Sequence, residues 1–547
     1  MSEMEEKTTG FNKLAGNILG KVAGVMTFIL LFVYPLYIKN RYGEVVEGKY
    51  YLYWKTVLGG LAVVFVLGLI FLIIDKIKYN GENTKAFSAK LLPGRWKKTF
   101  TIYDGFLIAF MASSVISALQ SEYFYESVWG NEGRYSGTFL LLVYGISVFL
   151  IGKLLRFHQW YLEAFLVSAM VVCFLGITDY FHWDIMGFEL GMIRNQDIFT
   201  STFGNINVYT AFVDIVMGVS ATLFASSKGK TKFWYYICTV VSFIAAITGR
   251  SDNVYLAFGV LFAFLPFYVF NTRRGIGRYV VILASFFTIT KILAVLDIRQ
   301  GKELGMVIGL DGLAKAIGHF SGTIVLIAAL WALAAIIYAT SKEKIDEILG
   351  KEVKYCWVVI ILTAAIAVLA VVWYANTGEH GEQYGELAKF FVFNDSWGTD
   401  RGYAWRFAME LYNQFPIGHK IFGYGADTFG ILTTRYSGAT AAKMYEDLGV
   451  IYDNAHNAYL QYLVTIGAAG LASYVLFLVS SVFWMIKRGT GSPAVMACVF
   501  GALCYCFQSV VNIELPGVTP AFWTILAVGL AAARREIRDK GEKTSQF

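Results

Sequence analysis

A run of mostly apolar residues, HNAYLQYLVTIGAAG, begins at His456-Asn457 and carries glycines at 467 and 470. An unperturbed imidazole, with a pKa of about 6.5, can accept a proton at neutral pH. A lone histidine at a helix start is more often an interfacial or capping residue than a catalyst. This one has a particular setting. It follows Asp453, which can cap the helix or hold the ring by a hydrogen bond, and it faces the long polar loop that carries Arg401 and Arg406. Those two arginines flank Trp405 in DRGYAWRFAMELYNQFPIG. One reading is a solvated helix face with cation–aromatic contacts. The other puts Arg401 in a first helical turn, where a guanidinium and free backbone N–H groups together attract an anion. A diphosphate is the natural anion, because arginine binds phosphate oxygens bidentately. Arg250 sits in a turn of a few residues between two apolar runs (AITGRSDNVYLAF). There it either snorkels to the interface or joins a polar pocket shared with the loop arginines. Arg134, in NEGRYSG, opens a span and reads first as an interfacial anchor. A proton acceptor among cations at a helix mouth suggests chemistry at a membrane surface rather than passage through the membrane.

The elements that must position these residues are transmembrane helices. The chain has 547 residues, 57% of them hydrophobic and 16% charged, with mean hydropathy +0.55. A soluble fold cannot bury that much apolar surface. Fourteen apolar runs have spanning length, at 20–38, 52–74, 101–119, 136–152, 159–178, 206–226, 233–248, 254–270, 279–298, 317–340, 355–375, 457–485, 493–512 and 517–534. The 17% aromatic content suits interfacial belts. The net charge of +7 is not a nucleic-acid signal here. The basic residues gather in alternate short loops, which orients both termini to the cytoplasm. The polar start, MSEMEEKTTG, and the absence of a small-residue cleavage site argue against a cleaved signal peptide. Six cysteines, all inside apolar runs and without a CxxC pair, predict neither a structural disulfide nor a metal site.

The chain divides into residues 1–375 with spans one to eleven, an extracytoplasmic loop over 376–456, and residues 457–547 with the last three spans and a cytoplasmic tail. So long a loop is expected to fold. Thr399 or Asp400 would cap a helix over 401–414, whose Trp405, Met409 and Tyr412 would lie apolar side down on the membrane. Gly16, Gly20 and Gly24 recur every four residues and predict close helix packing. Asp214 and Lys291, at similar depth, form an intramembrane ion pair or snorkel independently. No internal repeat is evident, which weighs against a transporter.

These residues resemble the O-antigen ligase and O-antigen polymerase superfamily of bacterial membrane glycosyltransferases. The family's element of His, then Asn, Ser or Gln, nine residues and Gly-x-x-Gly is matched by His456, Asn457, Gly467 and Gly470. Arg401, Trp405, Pro416 and Gly423-Tyr424-Gly425 are similar to its upstream Arg-x-x-x-Trp, Pro and Gly-x-Gly, and Arg250 to its outer-turn arginine. STFGNIN (201–207) is a weaker likeness. The resemblance is specific over about 400–475. IGHKIF (417–422) lengthens the usual spacing, and the family usually has about twelve spans, so either two helices, such as the first pair, are additions or the run boundaries differ.

The resemblance implies an all-α polytopic membrane fold of GT-C-like type in the bacterial cytoplasmic membrane. It implies transfer of a glycan from an undecaprenyl-diphosphate-linked donor to an acceptor hydroxyl at the outer face, as a metal-independent inverting glycosyltransferase without cofactor. The sequence adds that the outer segments hold no cluster of carboxylates or histidines suited to a metal. The acceptor is a glycan, a lipid or a protein hydroxyl. In this scheme His456, Arg401 and Arg250 are catalytic, and Arg406, Asn457, Arg134 and Trp405 bind substrate. Partners are the lipid-linked glycan, the acceptor and the bilayer, with no nucleic acid. The rival readings are a transporter or lipid-linked glycan flippase, an O-linked protein oligosaccharyltransferase of the same family, and a silent assembly scaffold.

Overall fold

The computed structural model describes residues 3–91, 100–188, 196–300, 307–341, 344–378, 380–435 and 438–544. Among them eleven helices are long and apolar enough to cross a membrane. The shorter apolar helices Thr138–Leu154 and Val254–Val269 and the buried first part of Thr519–Thr544 coincide with the other three expected spans. The fold is therefore all-α and polytopic. A two-residue hairpin, Phe199–Thr200 against Gly204–Asn205, leads into Ile206–Ser226.

Burial sorts the helices into a core and a periphery. The apolar stretch of Ile206–Ser226 is 100% buried, packed by Thr231–Thr248, Val254–Val269 and Pro493–Gln508. Trp523 centres an aromatic stack with Tyr144 at 5.3 Å and Phe477 at 5.4 Å between ring centres. By contrast the apolar stretches of Glu352–Ala375 and Val45–Tyr79 are 0% and 6% buried. Their bare Val, Leu and Ile faces are unsupportable in water and ordinary in hydrocarbon.

Thr138–Leu154 gives the bundle its polarity. Just before its start, Arg134 is bound to Asp453 of the large loop. Just after its end, the Phe157 carbonyl accepts a bond from Arg535 near the C-terminus, at 2.8 Å. A Cβ on Gly20 of the first helix would lie 3.1 Å from the Leu154 carbonyl. Both terminal regions thus meet at the end opposite the loop. Gly20 and Gly24 do mark close packing, against Arg156 and the Tyr161 hydroxyl.

The expected span 457–485 is two helices, Ala458–Thr465 and Gly467–Gly489, separated at Ile466. Gly467 has φ +73°, and a Cβ there would collide with the Ile421 carbonyl. Gly423, at φ +74°, approaches the Thr465 carbonyl from the other side, again with no room for a side chain. Gly425 N–H donates to the Thr465 carbonyl at 2.8 Å and to Ser117 Oγ at 3.0 Å. Ser117 in turn donates to the Thr465 carbonyl, and Gln120 to the Gly423 carbonyl. The large loop is thereby pinned by its backbone into the break.

Above the break the loop has its own apolar core, in which Phe407, Leu411, Phe415, Phe429 and Val464 meet. This corrects the expected helix face. Ala404, Phe407, Ala408 and Leu411 are buried, whereas Met409 is exposed. The apolar side of Trp397–Gln414 packs into the loop itself, because folding the loop gives that face a denser partner than the interface would.

Gly467→Ala is expected to destabilise the protein by about 1–3 kcal/mol, from a left-handed backbone and a backbone collision. Gly68→Ala, in a helix with nothing within 4 Å of the new Cβ, serves as the neutral comparison in thermal melts.

Candidate functional site

The clasp sets where Ala458–Thr465 begins, and so where His456 lies. Asn457 caps this helix, its Oδ1 accepting from Tyr459 and Leu460 N–H at 2.9 and 3.0 Å. The cap is Asn457, not Asp453. Asn454 Oδ1 accepts the His456 N–H at 2.9 Å and holds His456 at φ +47°, a conformation costly for a non-glycine residue. Tyr452 flanks the imidazole at 4.9 Å between ring centres.

Asp453 grips Arg134, with Nε–Oδ2 at 3.0 Å and Nη2–Oδ1 at 2.6 Å. Burial raises this carboxyl, but the bidentate bond and charge of Arg134 outweigh it and hold Asp453 below the usual range. The Arg134 turn is fixed from beneath by Asp427, whose Oδ2 accepts from Asn131 and Ser136 N–H at 2.7 and 3.3 Å. Burial pushes Asp427 up to about 7. No sequence pattern marks Asp427 as a partner of a turn some 290 positions earlier; only the fold pairs them.

Arg401 is 8% exposed. It follows a left-handed turn at Gly398, Thr399 and Asp400, with φ of 62°, 62° and 65°, rather than a simple side-chain cap. Its Nη1 donates to the Gly398 carbonyl at 2.6 Å, and its Nε has no partner. No carboxylate lies within ion-pair distance of it among the described residues. Burial lowers its pKa, partly offset by the charge of Asp252 and by Tyr452. Two N–H groups near this helix start are already used, Asp400 on the Ser396 carbonyl and Tyr403 on the Asp395 carbonyl. The guanidinium, more than the helix end, is therefore the anion-attracting group.

His456 lies in the field of these cations. Burial, then the charges of Arg401 and Arg134, push its pKa down to about 4, against the smaller opposite pull of Asp453. The ring is neutral at pH 7, and part of its surface stays open.

Arg250 is on the adjoining side. Its turn, with φ +52° at Arg250, is held by a polar network. Ser251 Oγ donates to Asn207 Oδ1, and Asn253 Nδ2 to the Asn207 carbonyl and Gln508 Oε1, at 2.5, 3.2 and 3.1 Å. Asn512 joins the same carbonyl at 3.0 Å. Asn207 closes the STFGNIN segment, so that segment supports the Arg250 turn. Arg250 Nη2 is 3.6 Å from Asp311 Oδ2, and its Nε is unpartnered. Asp252, which Arg401 feels, binds Lys389 at 3.0 Å, and the charges of Arg250, Asp252 and Lys389 all act on Asp311. Burial nonetheless raises Asp311. Arg250 with Asp311 and Lys389 with Asp252 thus form neighbouring ion pairs, the charge of Asp252 acts on Arg401 and that of Arg401 on His456; Arg250 and His456 make no direct contact among the described residues. Beside Lys389 a cavity of about 840 Å³ opens between Asn376, Glu382, Phe393 and Ser396.

The remaining expected residues are placed apart. Arg406 is at the exposed surface, bound to Asp395 at 2.9 Å. Trp405 packs on Trp397 at 4.7 Å between ring centres. Asp214 and Lys291 do not pair: Lys291 donates to the Gly318 carbonyl at 2.8 Å, and both Asp214 oxygens lack partners.

An all-helical polytopic bundle with a folded loop over a histidine, a buried Arg401 and partly buried Arg134 and Arg250 defines a membrane protein with a candidate site at one end. The O-antigen ligase family model matches residues 304–475, the stretch that contains the loop, Arg401 and His456. Over that stretch, about a third of its length, the chain is similar to O-antigen ligases. No curated protein matches the chain.

Arg401→Ala is expected to lower glycan-product formation at least about 100-fold, the scale for removing one preorganised electrostatic group. Arg406→Ala, which loses an exposed ion pair worth at most about 1 kcal/mol, should stay within about fivefold. Equal losses, measured in membranes with matched protein amounts, would remove the distinction drawn from burial.

Proposed function

We propose that the protein transfers a glycan from an undecaprenyl-diphosphate donor to an acceptor hydroxyl at the outer face of the cytoplasmic membrane, as a surface-polysaccharide polymerase or ligase. The observation that carries this reading is the buried Arg401 guanidinium without an acidic partner, beside a neutral imidazole. An uncompensated buried cation is costly. A ligand bearing negative charge would relieve that cost, and a diphosphate matches the fork.

In the reaction the anomeric C–O bond to the diphosphate breaks as the acceptor oxygen forms its own bond to that carbon from the opposite face. Arg401 and Arg250 would stabilise the charge growing on the departing diphosphate. His456 would hold the acceptor hydroxyl and take its proton, which passes on to the released diphosphate or solvent. Arg134 would set the field at His456 while its pair with Asp453 fixes the helix mouth. The 840 Å³ cavity beside Lys389 gives room for sugars next to the cluster, and positioning both substrates there would supply much of the rate.

The charges explain how a weakly basic imidazole could serve. A pKa of about 4 makes His456 a poor base in the empty site. A diphosphate against Arg401 would cancel part of the repulsion that keeps protons off the ring. Basicity would then rise only when donor is bound. The transporter reading gains nothing from Asp214 and Lys291, which form no charge relay.

Reconstitution with lipid-diphosphate-linked glycan tests this directly. His456→Ala is expected to reduce product about 10²- to 10⁴-fold. Transfer of labelled lipid across proteoliposomes without new glycosidic bonds would instead favour a flippase. The pH profile carries its own sign. Protonation inactivates His456, so the acid limb of kcat/KM, which reports the free enzyme, should fall near pH 4. The acid limb of kcat should lie higher, because it reports the donor-bound state. Coincident limbs would rule out donor-induced basicity.

A further inference from the structure

The end of the bundle opposite the loop holds a second cavity, which the proposed chemistry does not use. Its volume is about 470 Å³, and it lies where the end of Ile206–Ser226, the start of Thr231–Thr248, the start of Arg273–Gln300 and the end of Gly322–Thr340 meet. Arg278, 3% exposed, forms part of its lining. One nitrogen, Nη1, donates to the Phe224 and Ser227 carbonyls at 2.8 and 2.5 Å, carbonyls that the end of the 206–226 helix leaves without intrahelical partners. Its guanidinium also sits 5.7 Å from the Phe224 ring centre. Arg274, the next cation of the lining, is bound bidentately to Asp346 at 2.8 and 2.7 Å. Lys232 lies over the Phe233 ring at 5.0 Å and meets no carboxylate among the described residues. Among the described residues the three lining cations have one ion-paired carboxylate between them, Asp346 on Arg274, leaving an excess of positive charge.

The other walls are apolar. Tyr236, Val281 and Tyr338 line the cavity, and Phe233, 63% exposed, carries it out to the flank of the bundle, where Ile237 is 53% exposed. That flank faces hydrocarbon in a membrane. A free inorganic anion would match the cations and gain nothing from these walls. A zwitterionic headgroup would bring its own cation into an already positive cavity. An anionic phospholipid matches both parts, with a phosphate for the cations and an acyl chain for the aromatic flank. We infer that this cavity binds one anionic phospholipid, its phosphate between Lys232 and Arg278 and one chain along Phe233 and Ile237.

The test uses the full-length protein, delipidated in detergent, with phosphatidylglycerol or phosphatidylcholine added back and binding followed by native mass spectrometry and thermal melting. Phosphatidylglycerol should remain bound and raise the melting temperature, whereas phosphatidylcholine should do neither. Lys232→Glu should weaken phosphatidylglycerol binding at least about fivefold, the weight of one basic residue at a lipid phosphate. Lys443→Glu, the same charge change at the loop end, should not. Because Lys232 is only partly buried and has no ion pair among the described residues, the variant should fold even if changes at Arg278 do not. Equal binding of both lipids, equal weakening by both variants, or the full melting shift with inorganic phosphate alone would each overturn the proposal.

Discussion

The site depends on a backbone-to-backbone contact. Gly423 and Gly467 bring the loop segment over residues 421–425 against the break at 464–467 with no side chain between them. A span that ran unbroken would offer no free carbonyl there. With the break, the Thr465 carbonyl accepts from both Gly425 and Ser117. This single junction joins the membrane bundle to the loop core of Phe407, Leu411, Phe429 and Val464. It also sets the start of Ala458–Thr465, and hence the height of His456 above the bundle. The glycines at 423, 425 and 467 therefore have a mechanical role, while the proposed chemistry rests on His456 and Arg401.

The loop-side charges are unevenly paired. Arg134 has Asp453, Arg406 has Asp395, Arg435 has Glu122 and Lys389 has Asp252. Arg401, more buried than any of these, has a carbonyl and an orphaned Nε. An arrangement selected for stability alone would place a carboxylate against the guanidinium or an apolar residue in its place. The left-handed turn at 398–400 adds strain at the same point. Strain and an uncompensated charge at one position persist only where the surrounding fold outweighs them, and the clasp and the loop core supply that excess.

Much of the fold was legible, because a span announces itself through local composition. The all-α polytopic class needed no long-range information. The breaks did not announce themselves: Ile466 lies in an apolar run, and only the docking of Ile421–Gly423 gives Gly467 its reason. The helix at 401–414 was visible, but its buried face was misread, since Trp405, Met409 and Tyr412 fit the period as well as Ala404, Phe407 and Leu411 do. Which stripe is buried depends on a loop core contributed by residues as distant as Val464. His456 and Arg401 stood out by motif. The partner of Asp453, the anchoring by Asp427 and the Asn207–Asn253–Gln508 network were not readable, because each joins residues tens to hundreds of positions apart. Asp214 and Lys291 failed as a pair for a related reason: similar depth says nothing about which face of each helix is turned to the other.

The same electrostatics ties stability to reactivity on the proposed reading. Arg401 and Arg134 both oppose a proton on His456, and Arg401 is itself held against a desolvation cost. A bound diphosphate would lower both costs at once, because its charge compensates the guanidinium and screens the imidazole. Binding energy from the donor would then appear as a more proton-receptive base, which is useful only in the bound complex. A carboxylate placed against Arg401 would stabilise the empty protein and raise His456 permanently, but it would occupy the ground the phosphate needs. The unpaired guanidinium is thus the feature through which donor binding and proton transfer can be coupled, and the glycine clasp is what keeps it beside the ring.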